Sequence, residues 1–300
     1  MSQLVGRRAV LASLAGLSVI GSEGRARADL GLDEHEIMDL HVSGNARLGK
    51  RATVFTPKSN RGGLFPILVL LHGLGETGNE RDGVYAWAQR YGLLSSYRRL
   101  LRSSVMDGVS RSNGYLRVSR AEQLDRQLML HPFRGMVLVC PYTPNVFAMN
   151  TSSALDEYAA WIVEVLLPEV RSRTPTREGM RWTGIDGCSL GGFVSYHVFQ
   201  RRPEAFFTCG GVQAAIGKAA AVEHAERFRS AVERVGLRRI HLETSTQDPY
   251  HDANVELARL LGRSGVEHEL RVSPGPHNQP WLIEVGTLEM LLWHDRQLRG

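Results

Sequence analysis

The stretch Gly187-Cys188-Ser189-Leu190-Gly191-Gly192, with Thr183-Gly184-Ile185-Asp186 before it and Phe193-Val194-Ser195-Tyr196 after it, decides how this chain is read. A short strand-like run, a tight turn with a serine at its apex and an apolar-periodic run follow one another, the order of strand, turn and helix. Glycines two before and two after Ser189 permit a turn so sharp that a side chain at either place would strike the neighbouring element. Such a G-x-S-x-G elbow pushes the serine hydroxyl outward. A glycine-rich helix entry can also cradle a phosphate, so the remaining parts of the chemistry have to be found elsewhere.

On either side of the elbow, apolar runs alternate with helical periodicity. Glu36 to Val42 and Arg51 to Pro57 read as an antiparallel pair around Gly44-Asn45. Phe65 to Leu71 is a continuous apolar run, the mark of a strand covered on both faces, and Met136 to Cys140 repeats it. Further strands are expected at the elbow, at Phe206 to Val212, Ile240 to Thr244 and Glu267 to Ser273. Between them the spacing predicts helices over Ala154 to Val170 with Ser153 as cap, Gly192 to Arg201 stopped by Pro203, Ala219 to Val235, Asp252 to Leu261 and Trp281 to Trp293. This order implies an α/β fold, a mainly parallel sheet with helices on both faces and ligands gathered at the carboxyl ends of the strands. The segment 76–134 is long for a crossover and is expected to form a cap-like insertion over the strand ends, building much of the pocket.

Composition fits one globular domain over residues 29–300, with 43% hydrophobic and 22% charged residues. Residues 1–28 read as an export signal: Arg7-Arg8, an apolar run from Ala9 to Ile20, then Ala26-Arg27-Ala28 as a cleavage site before Asp29. Paired arginines directly before the run resemble a twin-arginine signal and point to a periplasmic or secreted product. The run is too short for a stable transmembrane helix, so no lasting membrane insertion is expected after cleavage. The first 28 residues carry +3 of the formal charge of +5. The remaining +2, without a basic stripe interleaved with aromatics, does not describe a nucleic-acid binder. Cys140, Cys188 and Cys209 are too few for a disulfide framework and are expected as buried thiols, although one bridge stays open.

A serine hydroxyl is a poor nucleophile near neutral pH and needs a base, which in turn needs an orienting acid. Downstream of Ser189, the acid should follow the strand Ile240 to Thr244, where Asp248 lies in the loop, Asp252 is placed to cap a helix and Glu243 is inside the strand. Asp248 is the expected acid. The base should follow the last strand, and His277 sits there in Ser273-Pro274-Gly275-Pro276-His277-Asn278-Gln279-Pro280, a loop stiffened by prolines. His251 reads instead as a helix-start residue and His72 as a structural residue of its loop. Two backbone amides, of Leu190 after the nucleophile and of Leu74 after His72-Gly73, are placed to bind an oxyanion.

Together, Leu70-Leu71-His72-Gly73-Leu74-Gly75, the elbow, Arg202-Pro203-Glu204-Ala205-Phe206, Asp248-Pro249-Tyr250 and Pro274-Gly275-Pro276-His277 resemble the α/β-hydrolase superfamily. Within it the similarity, from about Thr53 to Trp293 outside the insertion, is to the esterase family of feruloyl and acetylxylan esterases, esterase D, polyester depolymerases and mycolyltransferases. That resemblance implies a Ser189, Asp248, His277 triad, an acyl-enzyme intermediate and small-molecule, polysaccharide or polyester ester substrates. It implies no metal or organic cofactor, and the sequence holds no H-E-x-x-H or paired-cysteine spacing. Asp186 before the elbow and Ser245-Thr246 before the acid depart from the pattern. Two rivals remain at this stage, an acyltransferase to a sugar or lipid hydroxyl and an inactive carbohydrate- or partner-binding module.

Overall fold

Two nearly unbroken apolar strands form the middle of the molecule. In the computed structural model, which describes residues 34–45, 47–58, 63–106 and 113–299, β3 (Ile67–Leu71) and β4 (Val137–Pro141) are buried at every position. The export signal read over residues 1–28 lies outside the described residues, as do 107–112 of the insertion. With β1 (His35–His41), β2 (Arg51–Pro57), β5 (Thr183–Gly187), β6 (Thr208–Val212), β7 (Arg239–Gln247) and β8 (His268–Pro276), they make one sheet of order β1-β2-β4-β3-β5-β6-β7-β8. β2 runs antiparallel to both of its neighbours, and all the other pairings are parallel.

Successive side chains of a strand leave on opposite faces, so each central strand feeds two cores. Ile67, Val69 and Leu71 join the helices Thr151–Trp161, Leu190–Arg201 and Ala220–Val235. Leu68 and Leu70 join Glu80–Gln89, Leu93–Leu101 and Thr287–Gln297 on the other side. All the expected strands are present. β7 and β8 run further than the sequence suggests, to Gln247 and Pro276, which brings them to the doorstep of Asp248 and His277. The three cysteines are buried free thiols. Among the described residues, no helix is long and apolar enough to cross a membrane.

Two local expectations are corrected. The helix placed behind Ser153 begins at Thr151, because Asn150 is the cap: its side chain accepts from Ser153 N at 3.4 Å, while Ser153 lies inside the first turn. The same helical run passes through a π turn at Ile162–Leu166, just ahead of Pro168, whose missing N–H cannot make the regular bond. Asp252 is no cap either, since the helix His251–Arg263 starts before it and Asp252 faces Lys218 Nζ at 3.7 Å from an exposed position. The insertion forms the helices Glu80–Gln89, Leu93–Leu101 and Val118–Leu130. Their apolar sides, including Trp87, Leu94, Tyr97 and Leu124, are committed to covering a sheet face. The described part of the insertion therefore lends the strand-end cleft only Glu76 and Tyr91.

Asp186, the unexpected acid of β5, is fully buried and serves as an internal tie. Its Oδ2 accepts from His241 Nδ1 on β7 at 3.1 Å and from His294 Nε2 on the C-terminal helix at 2.9 Å, while Oδ1 accepts from Gly187 N at 2.7 Å. Burial alone would raise the carboxyl's pKa, but the two imidazole donors outweigh it and hold Asp186 below the usual range. The tie exists because β6 leaves room for it: a Cβ on Gly210 would lie 1.9 Å from Asp186 Oδ2. Gly210→Ala is expected to dislodge the carboxylate and lower unfolding free energy in urea by roughly 3 kcal/mol or more. A loss within about 0.5 kcal/mol, the range of an unremarked surface change, would remove Asp186 from this role.

Candidate active site

Ser189 takes a backbone conformation that few side chains adopt, φ 54° and ψ −116°. The turn closes because its glycines lie against backbone. A Cβ on Gly187 would fall 2.4 Å from the Gly191 carbonyl carbon, and one on Gly191 would fall 2.1 Å from Leu71 O. Bonds from Ser189 N to Val212 O at 3.0 Å and from Ala215 N to Ser189 O at 2.9 Å brace the turn against the end of β6. The strain is thereby held by the sheet itself.

The loops after β7 and β8 bring the other two expected residues to the serine. His277 Nε2 is 3.0 Å from Ser189 Oγ, and His277 Nδ1 is 2.9 Å from Asp248 Oδ1. A carboxylate only accepts, so Nδ1 carries the hydrogen and Nε2 is left to accept from the serine. Asp248 is 5% exposed and its remaining capacity is used locally, by Thr244 Oγ1 at 2.7 Å and Tyr250 N at 3.0 Å. The alternatives do not reach the site. Glu243 is buried within β7, 3.6 Å from His241 Nε2, where burial pushes its carboxyl well above the ordinary range. His251 starts a helix, with its N–H on Asp248 O at 3.0 Å.

Two amides expected at the site, of Leu190 and Leu74, donate to no protein acceptor among the described residues. Leu190 opens the elbow helix, so its N–H belongs to the positive end of that helix. Leu74 follows Gly73, where a Cβ would lie 3.8 Å from Ser189 Cβ. His72 controls the carbonyl side of the same peptide: its Nε2 accepts from Thr143 N at 2.8 Å, so its Nδ1–H donates to Gly73 O, also at 2.8 Å. Since Gly73 C=O and Leu74 N–H belong to one planar unit, that bond also orients the Leu74 donor.

The cleft around Ser189 has a volume of about 220 Å³ and is walled by Leu74, Glu76, Tyr91, Gln213, Asn278 and Leu282. A second hollow of about 240 Å³ lies beside β8, between Tyr115 and Val285, and is lined by none of Ser189, Asp248 and His277. Volume does not separate the two, whereas the chemistry does. Gln213 is a residue the sequence does not single out. It sits past β6 at φ 49° and donates to Ser245 Oγ at 2.7 Å and to Pro276 O at 3.1 Å, pinning the loop that carries His277. Its position just beyond a strand end is the one signal that could have marked it. Among the described residues, one group could offer three metal-type donors, Asp186, His241 and His294. Their contacts are those of one carboxylate shared by two imidazole N–H groups.

No protein-family model matches the chain, and no curated protein does. Many solved structures do. A ferulic acid esterase is 18% identical with a TM-score of 0.64, over 89% of this chain and 99% of that one. A fluorophosphonate-binding serine hydrolase of Staphylococcus aureus is 15% identical with a TM-score of 0.59, over 87% and 98%. An S-formylglutathione hydrolase of Agrobacterium tumefaciens is 15% identical with a TM-score of 0.57, over 89% and 96%. At these identities the likeness concerns architecture, and the architecture is the α/β-hydrolase fold.

His72 yields a pH prediction. Burial lowers its pKa to about 4 from an ordinary 6.5, so between those values the unfolded chain binds a proton that the folded chain refuses. Its contribution is complete above pH 6.5 and drains away as pH falls toward 4. Glu243, with a raised pKa, acts in the opposite direction, so the comparison is made against His72→Gln. The stability difference between wild type and His72→Gln is expected to shrink by about 2–3 kcal/mol from pH 7 to pH 4 in urea unfolding. A difference that does not change with pH contradicts a neutral, buried His72.

Proposed function

We propose that this chain is a serine hydrolase that cleaves carboxylic esters. The observation that carries the reading is the continuous contact from Ser189 Oγ through His277 to Asp248, at 3.0 and 2.9 Å, from three separate strand ends. In this mechanism Ser189 Oγ attacks the ester carbonyl carbon while His277 Nε2 takes its proton. Asp248 holds the resulting imidazolium through Nδ1–H. The carbonyl oxygen becomes an oxyanion between the N–H groups of Leu190 and Leu74, where each donor is worth roughly 10²–10³ in rate. His277 returns the proton to the departing alcohol, leaving an acyl-Ser189. Water, deprotonated by the same imidazole, then releases the acid and restores the serine.

The substrate class proposed is a small-molecule, polysaccharide-borne or polyester-borne ester, in keeping with the ferulic acid esterase among the structural relatives. We also propose export under the direction of residues 1–28, on the strength of Arg7-Arg8, the apolar run and Ala26-Arg27-Ala28. Mass spectrometry of the protein from its native host is expected to find Asp29 at the N-terminus, and a retained Met1 would refute export by cleavage.

Ser189→Ala and His277→Ala are each expected to lower kcat on p-nitrophenyl acetate by about 10³-fold or more, with unchanged circular dichroism. Asp248→Asn should lose on the order of 10³–10⁴-fold, whereas Asp252→Asn should stay within about two-fold. The reverse ranking of the two aspartates overturns the acid assignment. A wild-type protein that neither hydrolyses short esters nor is labelled by a fluorophosphonate at Ser189 would return the binding-module reading to the front.

A further inference from the structure

Leu74 N–H can serve as a donor only if its loop stands still beside Ser189, and a pair of side chains outside the triad is built against that loop. Tyr91 and Glu76 are 3% and 4% exposed. Gly73 N donates to Tyr91 Oη at 3.3 Å, and the Tyr91 hydroxyl donates in turn to Glu76 Oε2. A phenol has one proton to give. Directing that proton to Glu76 leaves the oxygen's lone pair aimed at Gly73 N–H. Burial, with Cys188 and Glu76 nearby, raises the phenol's pKa far above its ordinary value, so the proton stays.

The phenol is itself held in place. Its ring meets Trp87 edge-on at 5.2 Å, and its backbone carbonyl accepts from Thr287 Oγ1 at 2.6 Å. Glu76 Oε1 lies 3.4 Å from Arg90 Nη1. Ser189 stands beside the same residue: a Cβ on Gly73 would be 3.2 Å from Tyr91 Oη and 3.8 Å from Ser189 Cβ. The loop therefore packs closely against both the phenol and the serine turn. His72 grips the peptide that follows Gly73, and Tyr91 grips the one that precedes it.

We propose that Tyr91, keyed by Glu76, is a positioning residue for the oxyanion donor Leu74 N–H. The inference rests on the serine-hydrolase reading above. It assigns the pair a role in the transition state that a purely structural contact lacks, because a displaced donor weakens binding of the tetrahedral species and leaves the ground-state ester almost untouched.

The test uses Tyr91→Phe, Glu76→Ala and Glu76→Gln in the full chain. It measures kcat per fluorophosphonate-titrated site, KM for a p-nitrophenyl ester, and Ki for an alkyl trifluoromethyl ketone, whose serine adduct places an oxyanion in the same notch. Tyr91→Phe and Glu76→Ala are expected to lower kcat roughly 10- to 100-fold, with KM within about three-fold and ketone affinity weakened in parallel with kcat/KM. Glu76→Gln, which keeps an acceptor for the phenol, should stay within about five-fold of wild type. If Tyr91→Phe does not fold, the two Glu76 variants decide. Values of kcat per titrated site within about two-fold of wild type overturn the proposal, as do losses confined to KM with ketone affinity unchanged. A wild-type protein that neither turns over the ester nor binds the ketone removes the serine-hydrolase reading, and this inference with it.

Discussion

The close passage of the elbow helix over the end of β3 is the constraint from which the site follows. Gly191 lies so near Leu71 O that no side chain fits between them, and Gly187 is equally near Gly191. That contact forces Ser189 to positive φ and turns its hydroxyl away from the helix it precedes. It also brings the loop after β3 alongside the serine. One backbone contact therefore sets both Ser189 and the notch beside it, and the loops after β7 and β8 are added to a rim already defined.

Holding such a rim requires that the strands do not slide, and the interior supplies ties as well as apolar contact. Asp186 joins β5 to β7 and to the C-terminal helix through two buried histidines, directly below the turn that it precedes by three residues. A buried carboxylate is costly unless it is paired and hydrogen-bonded, and this one is both. At the strand ends, Gln213 ties the His277 loop to β7, and His72 ties the Leu74 loop to the segment after β4. The loops carrying His277 and Leu74 thus each have a polar anchor of their own, which suits loops held in one place.

Much of the fold is legible in the chain because its signals are local. The apolar run ending at Leu71, the glycines about Ser189 and the prolines about His277 each act within a few residues of themselves. Ser189, Asp248 and His277 could be picked out as candidates for a related reason, since they follow β5, β7 and β8 in a fixed order. Ser153 and Asp252 were misjudged as caps because a polar residue before an apolar-periodic run is only a candidate, and the chain entering each helix chooses among several. The insertion was read from its length. Its excess length reads as material for a cap, and the apolar faces of its described helices pack on the sheet.

By itself the sequence determined the order of the strands, the elbow and the candidates Ser189, Asp248 and His277, from signals a few residues long and from their order along the chain. The tertiary structure alone decided what Asp186, Gln213, Glu76 and Tyr91 do. Their partners are distant along the chain, 15 positions for Glu76 and Tyr91, 108 for Asp186 and His294 and 196 for Tyr91 and Thr287. A hydrogen bond depends on distance and direction in space, and neither is written in the spacing of residues along a chain.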